Sequence, residues 1–310
     1  MRILFMGTPE FALQSLRALD ALHDVAAVFT KVDKPNSRGG KIIPGPVKIY
    51  AEERGIPVLQ PEKLKDPTLI EKVRELKPDL MVVVAYGKLL PPELFTIPPL
   101  GTVNVHSSLL PKLRGAAPIH GALVAGESET GVTIMYIAER LDAGDMILQE
   151  KIPIEESDNY ASLHDKLAIL GAQTLIRAVD QIAKGEVRVV KQDEALATYV
   201  KPYGKEDLRI DWNKGAREIF NFVRGMDPQP GAFATVNGKI LKIAAVREYE
   251  GQTAGGVPGE VTGVVKKAGP VVRCGNGAVL ITAAGPENKK KMTGADLVNG
   301  RFLKQGDLLR

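Results

Sequence analysis

Cysteine is nearly absent from this 310-residue chain, with Cys274 standing alone. A single thiol excludes an internal disulfide and a cysteine-rich zinc site. The four histidines, His23, His106, His120 and His164, are scattered rather than spaced as metal ligands, so no metal is expected. No run of about 18 apolar residues occurs, and nothing reads as a membrane span. Residues 1–7 form too short an apolar run for a signal peptide and enter a strand directly. A cytoplasmic protein without a membrane segment is the expectation. A dinucleotide fingerprint is missing too. After the first strand come Gly7-Thr8-Pro9-Glu10, with Pro9 and Glu10 where that motif needs close backbone approach.

A chain of this length has room for two domains with real cores. Its 44% hydrophobic and 25% charged residues are ordinary for a soluble globular protein. The charge is uneven. From Glu206 onward there are 16 basic against 11 acidic residues, which leaves 25 against 26 of the totals, 41 and 37, before it. A basic surplus confined to one module suits a polyanion-binding appendage.

Strands and helices alternate through the first half. Residues 2–6 and 25–30 read as strands, with Phe11, Leu13, Leu16, Leu19 and Leu22 at helical spacing between them. Residues 79–85, DLMVVVA, form the continuous apolar run of a strand buried on both faces. Thr102–His106 follows as a strand and Pro118–Ala125 as a helix, then strands at 132–137 and 146–154 and a long helix at 161–183. The alternation predicts a Rossmann-like parallel sheet with helices on both faces. The pattern breaks after Gly185. One helix, 216–224, precedes five short glycine-cut strands at 232–236, 240–246, 259–266, 271–274 and 278–283, which suggest a small OB-like β-barrel. The expected division is 1–190, a linker at 191–207, and 208–310.

Asn104 and His106 sit two apart at a strand's end, so they share a face about 6 to 7 Å apart. Ligands in such sheets bind outside the carboxyl ends of the strands. Asp142 lies 36 residues past His106, in the turn Leu141-Asp142-Ala143-Gly144-Asp145. Amide donor, imidazole and carboxylate are the parts that stabilise an oxyanion and move protons in acyl transfer. Ser107 and Ser108 have neither a spaced base nor an elbow motif, so no covalent enzyme intermediate is expected. Cys274, in the barrel, reads as packing, and His23 and His164 as surface or packing residues. His120 is near enough in sequence to be weighed for the site. Residues 31–48 form a basic, glycine-rich loop after the second strand, able to wrap phosphates.

The string Asn104-Val105-His106-Ser107-Ser108-Leu109-Leu110-Pro111, with Asp142 at its spacing, resembles the folate-dependent formyltransferases. The match to the members acting on methionyl-tRNA is close. It runs nearly end to end through Gly7-Thr8-Pro9-Glu10-Phe11, Arg38-Gly39-Gly40-Lys41, Pro44-Gly45-Pro46-Val47-Lys48, Arg114-Gly115-Ala116-Ala117-Pro118-Ile119, Thr130-Gly131-Val132-Thr133-Ile134-Met135 and Arg209-Ile210-Asp211-Trp212. The resemblance implies formyl transfer from 10-formyltetrahydrofolate to the α-amino group of methionine on charged initiator tRNA. It implies catalysis by Asn104, His106 and Asp142. Folate contacts are implied at Ser108, Leu109, Leu110 and Pro111, and at Tyr86, Gly87, Lys88, Leu89 and Leu90. Arg38, with Lys41, is implied to engage the tRNA acceptor end, although Arg-Gly-Gly-Lys is less basic here than in many relatives. The same fold serves small-molecule amines, which need neither the basic loop nor the barrel. A monomer is the default expectation.

Overall fold

The computed structural model describes residues 1–35, 40, 42–252, 255–287 and 289–310. In chain order the first strands and helices are β1 (Arg2–Gly7), α1 (Glu10–Leu22), β2 (Asp24–Phe29), α2 (Pro46–Glu53), β3 (Val58–Leu59), α3 (Pro67–Glu75), β4 (Leu80–Val84), α4 (Pro92–Phe95), β5 (Thr102–His106), β6 (Arg114–Gly115), α5 (Pro118–Ala125), β7 (Glu129–Tyr136), β8 (Met146–Pro153), α6 (Tyr160–Lys184) and β9 (Tyr199–Val200). Then follow α7 (Ala216–Met226), β10 (Phe233–Val236), β11 (Lys239–Glu248), β12 (Val261–Val265), β13 (Gly269–Arg273), β14 (Ala278–Pro286), β15 (Met292–Thr293) and α8 (Gly294–Asn299).

The residues group into two units. The first comprises Met1–Pro118, Thr130–Ile152 and His164–Val200, and the second Ile119–Glu129, Pro153–Leu163 and Lys201–Arg310. Two short pieces from before residue 164 thus cluster with the C-terminal residues.

The first unit is built on a seven-stranded sheet in the order β3-β2-β1-β4-β5-β7-β8. β1, β2, β3, β4 and β5 are parallel. β7 runs antiparallel to β5, pairing Thr133 with His106, so the sheet is mixed where the alternation had suggested parallel strands throughout. The connection between them, residues 107–128, carries β6 and α5 and brings the chain back to the edge of β5 in the opposite direction. All five residues of β4 are buried. Leu4, Met6, Met81 and Val83 share one face with Val73 and Leu94 of α3 and α4. On the other face Gly171 of α6 lies against Val105 and Val132. α3 starts with Asp66, whose carboxylate accepts from Thr68 N at 2.9 Å, followed by Pro67 at its first position.

The strand order reverses between β1 and β4. The chain leaves β1 toward β2 and β3, then returns to the other side of β1. The carboxyl ends of strands flanking such a switch point form the crevice where open α/β sheets bind ligands.

The second unit carries an antiparallel sheet ordered β10-β11-β14-β13-β12, with β15 on β14, a curled OB-like half-barrel. β11 alternates, with Leu241, Ile243 and Val246 buried and Lys239, Lys242 and Arg247 exposed. Its core joins Trp212, Ile219, Val223 and Met226 to Leu241, Ile243, Val272 and Ile281.

Candidate active site

Period two along β5 and the pairing of Asn104 with Val83 and Met135 put Asn104 and His106 on one face at the sheet's carboxyl edge. His106 is buried, and its Nε2 lies 3.0 Å from the carbonyl oxygen of Leu113. A carbonyl only accepts, so Nε2 carries a proton. Nδ1 faces Asp142, whose Oδ2 is 3.8 Å away. That carboxylate oxygen also accepts from Gly115 N at 2.7 Å. The Asn104 carboxamide, half-buried, has no side-chain hydrogen bond among the described residues. An amide so placed, with both hydrogens uncommitted, is free to donate to a ligand oxygen.

Backbone strain gathers around these groups. Among the described residues of the first unit, Lys77, Ala85, Leu113 and Asp142 are the non-glycine residues with left-handed φ, and the last three border the site. Each costs about 1 kcal/mol or more. Asp142 (φ 50°) tolerates this best, because Asp is among the few non-glycine residues that adopt the left-handed region readily. Leu113 (φ 58°) has no such compensation, and the bend turns its carbonyl to His106.

Below the site, Thr133 Oγ1 donates to Ser108 O at 2.7 Å and accepts from Leu110 N at 3.1 Å. Gln149 Nε2 donates to Leu110 O and to Thr133 Oγ1. Arg114, fully buried, reaches Gln192 Oε1, both Glu194 oxygens and the Tyr199 hydroxyl. The Arg114 and Arg140 guanidiniums hold the Glu194 carboxyl down at about 2.

Comparison with known proteins gives these positions a context. The pattern described as "Formyl transferase" matches residues 1–179, and "Formyl transferase, C-terminal domain" matches 203–301. The chain belongs to the formyl transferase family. Among its relatives is the methionyl-tRNA formyltransferase of Fusobacterium nucleatum, 51% identical over 309 residues and covering 100% of both chains. The Bacillus subtilis methionyl-tRNA formyltransferase is 46% identical, covering 99% of this chain and 97% of that one. Two solved structures share the fold. HypX from Aquifex aeolicus in complex with tetrahydrofolic acid has a TM-score of 0.64 at 24% identity, covering 98% of this chain and 48% of that one. The N-formyltransferase from Helicobacter canadensis in complex with folinic acid and dTDP-3-aminofucose has a TM-score of 0.66 at 20% identity, covering 94% and 99%.

The family's expected folate residues fall into two kinds. Leu89 is 76% exposed beside Gly87, whose φ of 67° turns the chain away from β4. The others are mostly committed to the protein. Tyr86 is buried among Leu4, Met6 and Phe29, its hydroxyl without a partner and burial pushing it up to about 12. Lys88 Nζ donates to Pro61 O and Glu62 O, and Leu90 packs on the same cluster. Ser108 Oγ donates to Lys112 O, Leu110 is buried, and Leu109 and Pro111 are half-buried. Arg38 and Lys41 lie outside the described residues.

His120 stacks on Tyr160 at 4.0 Å within the second unit, with Nδ1 2.7 Å from Gly225 O. It reads there as packing. An open cleft of about 650 Å³ lined by Arg74, Lys77, Asp79 and Glu93 sits at the amino ends of β4 and β5, the wrong edge for a ligand in this sheet. Among the described residues no group of three or more His, Cys, Asp or Glu could hold a metal, and no helix is long and apolar enough to cross a membrane. The sequence reading missed Leu113, Thr133, Gln149, Gln192 and Thr198. A carbonyl carries no side-chain signal, and Gln192 and Thr198 lie in an aperiodic stretch that reads as linker.

Proposed function

We propose that this chain transfers the formyl group of 10-formyltetrahydrofolate to the α-amino group of methionine on charged initiator tRNA. The observation that carries it is the convergence of the open Asn104 amide, His106 and Asp142 beside the sheet's switch point. End-to-end identity of 51% to a methionyl-tRNA formyltransferase supports the same substrates. The residues fit a folate. A flat pterin needs apolar walls and backbone donors at its edge, and the turn at Ala85–Leu90 with exposed Leu89, together with Ser108–Pro111, offers both.

In this reading Asn104 Nδ2 donates to the formyl oxygen as charge builds there, an interaction of roughly 3 to 4 kcal/mol in the transition state. The amine nitrogen forms its bond to the formyl carbon, giving a tetrahedral oxyanion, and the carbon–N10 bond then breaks as the carbonyl re-forms. The proton leaves the amine and ends on the departing folate nitrogen. With Nε2 committed to Leu113, that transfer runs past the Nδ1 side of His106, where Asp142 lies. Asp142 orients the imidazole and supports its charged form. No enzyme side chain forms a covalent bond.

Arg38 and Lys41 would meet the acceptor end, and the basic C-terminal module would hold the tRNA body through phosphates. The working boundaries are 1–190, a linker at 191–207, and 208–310, in a monomeric cytoplasmic protein. Incubating the protein with formyltetrahydrofolate, charged initiator tRNA and free amino sugars tests the reading. Formyl label should appear on the tRNA. Label on the sugar alone would overturn it.

A further inference from the structure

We infer that Gln192 is a positioning residue for Asp142, so that the segment joining the two matched family domains is part of the reaction centre. The inference rests on Asp142 taking part in the reaction, as proposed above. Three consecutive residues present three different groups to the site. Leu113 offers its carbonyl to His106 Nε2 at 3.0 Å, Arg114 its guanidinium to Gln192, and Gly115 its N–H to Asp142 Oδ2 at 2.7 Å.

Gln192 closes the circuit. Its Nε2 donates to the carbonyl oxygens of Asp142 and Gly144, both at 2.8 Å. Its Oε1 accepts from Arg114 Nε at 3.0 Å and Nη2 at 2.8 Å. All four hydrogen-bonding positions of the amide are filled, and reversing it would set NH₂ against a guanidinium. Asp142 is therefore gripped at its carboxylate by Gly115 and at its backbone by Gln192, with Arg114 joining the two grips. The arrangement holds a residue whose left-handed φ of 50° gives it no regular backbone support.

The surrounding chain braces the same three residues. Thr198 Oγ1 accepts from Leu113 N at 2.8 Å, Thr198 O accepts from Arg114 N at 2.8 Å, and β9 pairs in parallel with β6. Gly144 leaves no slack on its side, since a Cβ there would collide with Tyr136 O. A passive tether would not spend a buried arginine and a saturated amide on one turn.

Gln192→Glu separates positioning from folding. The carboxylate keeps the bond to Arg114 but sets an acceptor against the Asp142 and Gly144 carbonyls. Single-turnover formylation of charged initiator tRNA by the full chain should slow by about tenfold to a hundredfold, the scale of a small misplacement of a reacting group. KM for the tRNA should hold. In an Asp142→Asn background the same change should slow the reaction no further, because both substitutions act through one residue. Gln192→Met, which removes both polar ends at similar length, should give the same pattern and serves if the glutamate variant folds poorly. An unchanged rate per folded molecule, or losses that multiply with Asp142→Asn, would overturn the inference. Normal turnover in Asp142→Asn alone would instead sink the reading on which it rests.

Discussion

The imidazole of His106 gives its Nε2 hydrogen to the carbonyl oxygen of Leu113, 3.0 Å away and seven residues along the chain. That bond fixes the neutral tautomer and leaves Nδ1 facing Asp142. In the neutral ring Nδ1 is a lone pair, and in the protonated ring it is a second donor aimed at a carboxylate. The chemistry open to the site thus depends on one ring nitrogen whose partner is already chosen.

Asn104→Ala, His106→Ala and Asp142→Asn should each lower turnover at least about a hundredfold, the scale of losing an oxyanion donor or a proton-transfer group. Asn at 142 tolerates the left-handed backbone and can still accept from Gly115 N, so that variant isolates the charge. Circular dichroism and the melting temperature should stay close to wild type. Near-normal turnover in any folded variant removes that residue from the mechanism.

Activity should follow a bell-shaped pH profile. The attacking amine must be neutral, which favours high pH, while a donating Nδ1 on His106 favours low pH. With chemistry shown to be rate-limiting, a profile flat from acid to alkaline would falsify the assignment of His106.

Gly115→Ala should lower both stability and turnover. The residue has φ 109°, and a Cβ would come within 2.5 Å of Val200 O while its N–H holds Asp142. We expect a loss of about 1 to 3 kcal/mol in urea denaturation. A substitution that leaves the urea midpoint and turnover intact would show that this turn is not fixed as described.

Arg38→Ala should raise KM for charged tRNA and leave folate affinity alone. Phosphate contacts release counterions, so the difference between variant and wild type should shrink as salt rises. A defect that persists unchanged at high salt would assign Arg38 a role other than phosphate binding.

Burial pushes the Cys274 thiol and the Tyr86 phenol each up to about 12. Both groups stay neutral in the native state, so their contribution is intact below the ordinary values, 9.0 and 10.0, and is lost as pH rises toward 12. Iodoacetamide at pH 8 should leave native protein unmodified and active. Cys274→Ala should lose stability less steeply than wild type above pH 9. Rapid alkylation of the folded chain would contradict the buried placement.

Much of the frame was legible in the sequence, because its signals are local. The unbroken apolar run of β4 marks burial on both faces, and period two along β5 puts Asn104 and His106 side by side whatever else the chain does. The spacing to Asp142 and the motif around it identified the family, and the glycine-cut strands after Trp212 marked the OB-like sheet. What the sequence could not determine lies between residues far apart in the chain. The reversal of β7 against β5 depends on the path of residues 107–128, which strand-helix alternation does not encode. The tautomer of His106 depends on the Leu113 carbonyl, a group every residue possesses. Gln192 reaches Asp142 across fifty positions from a stretch with no hydrophobic period, so only the folded chain brings its amide to that turn.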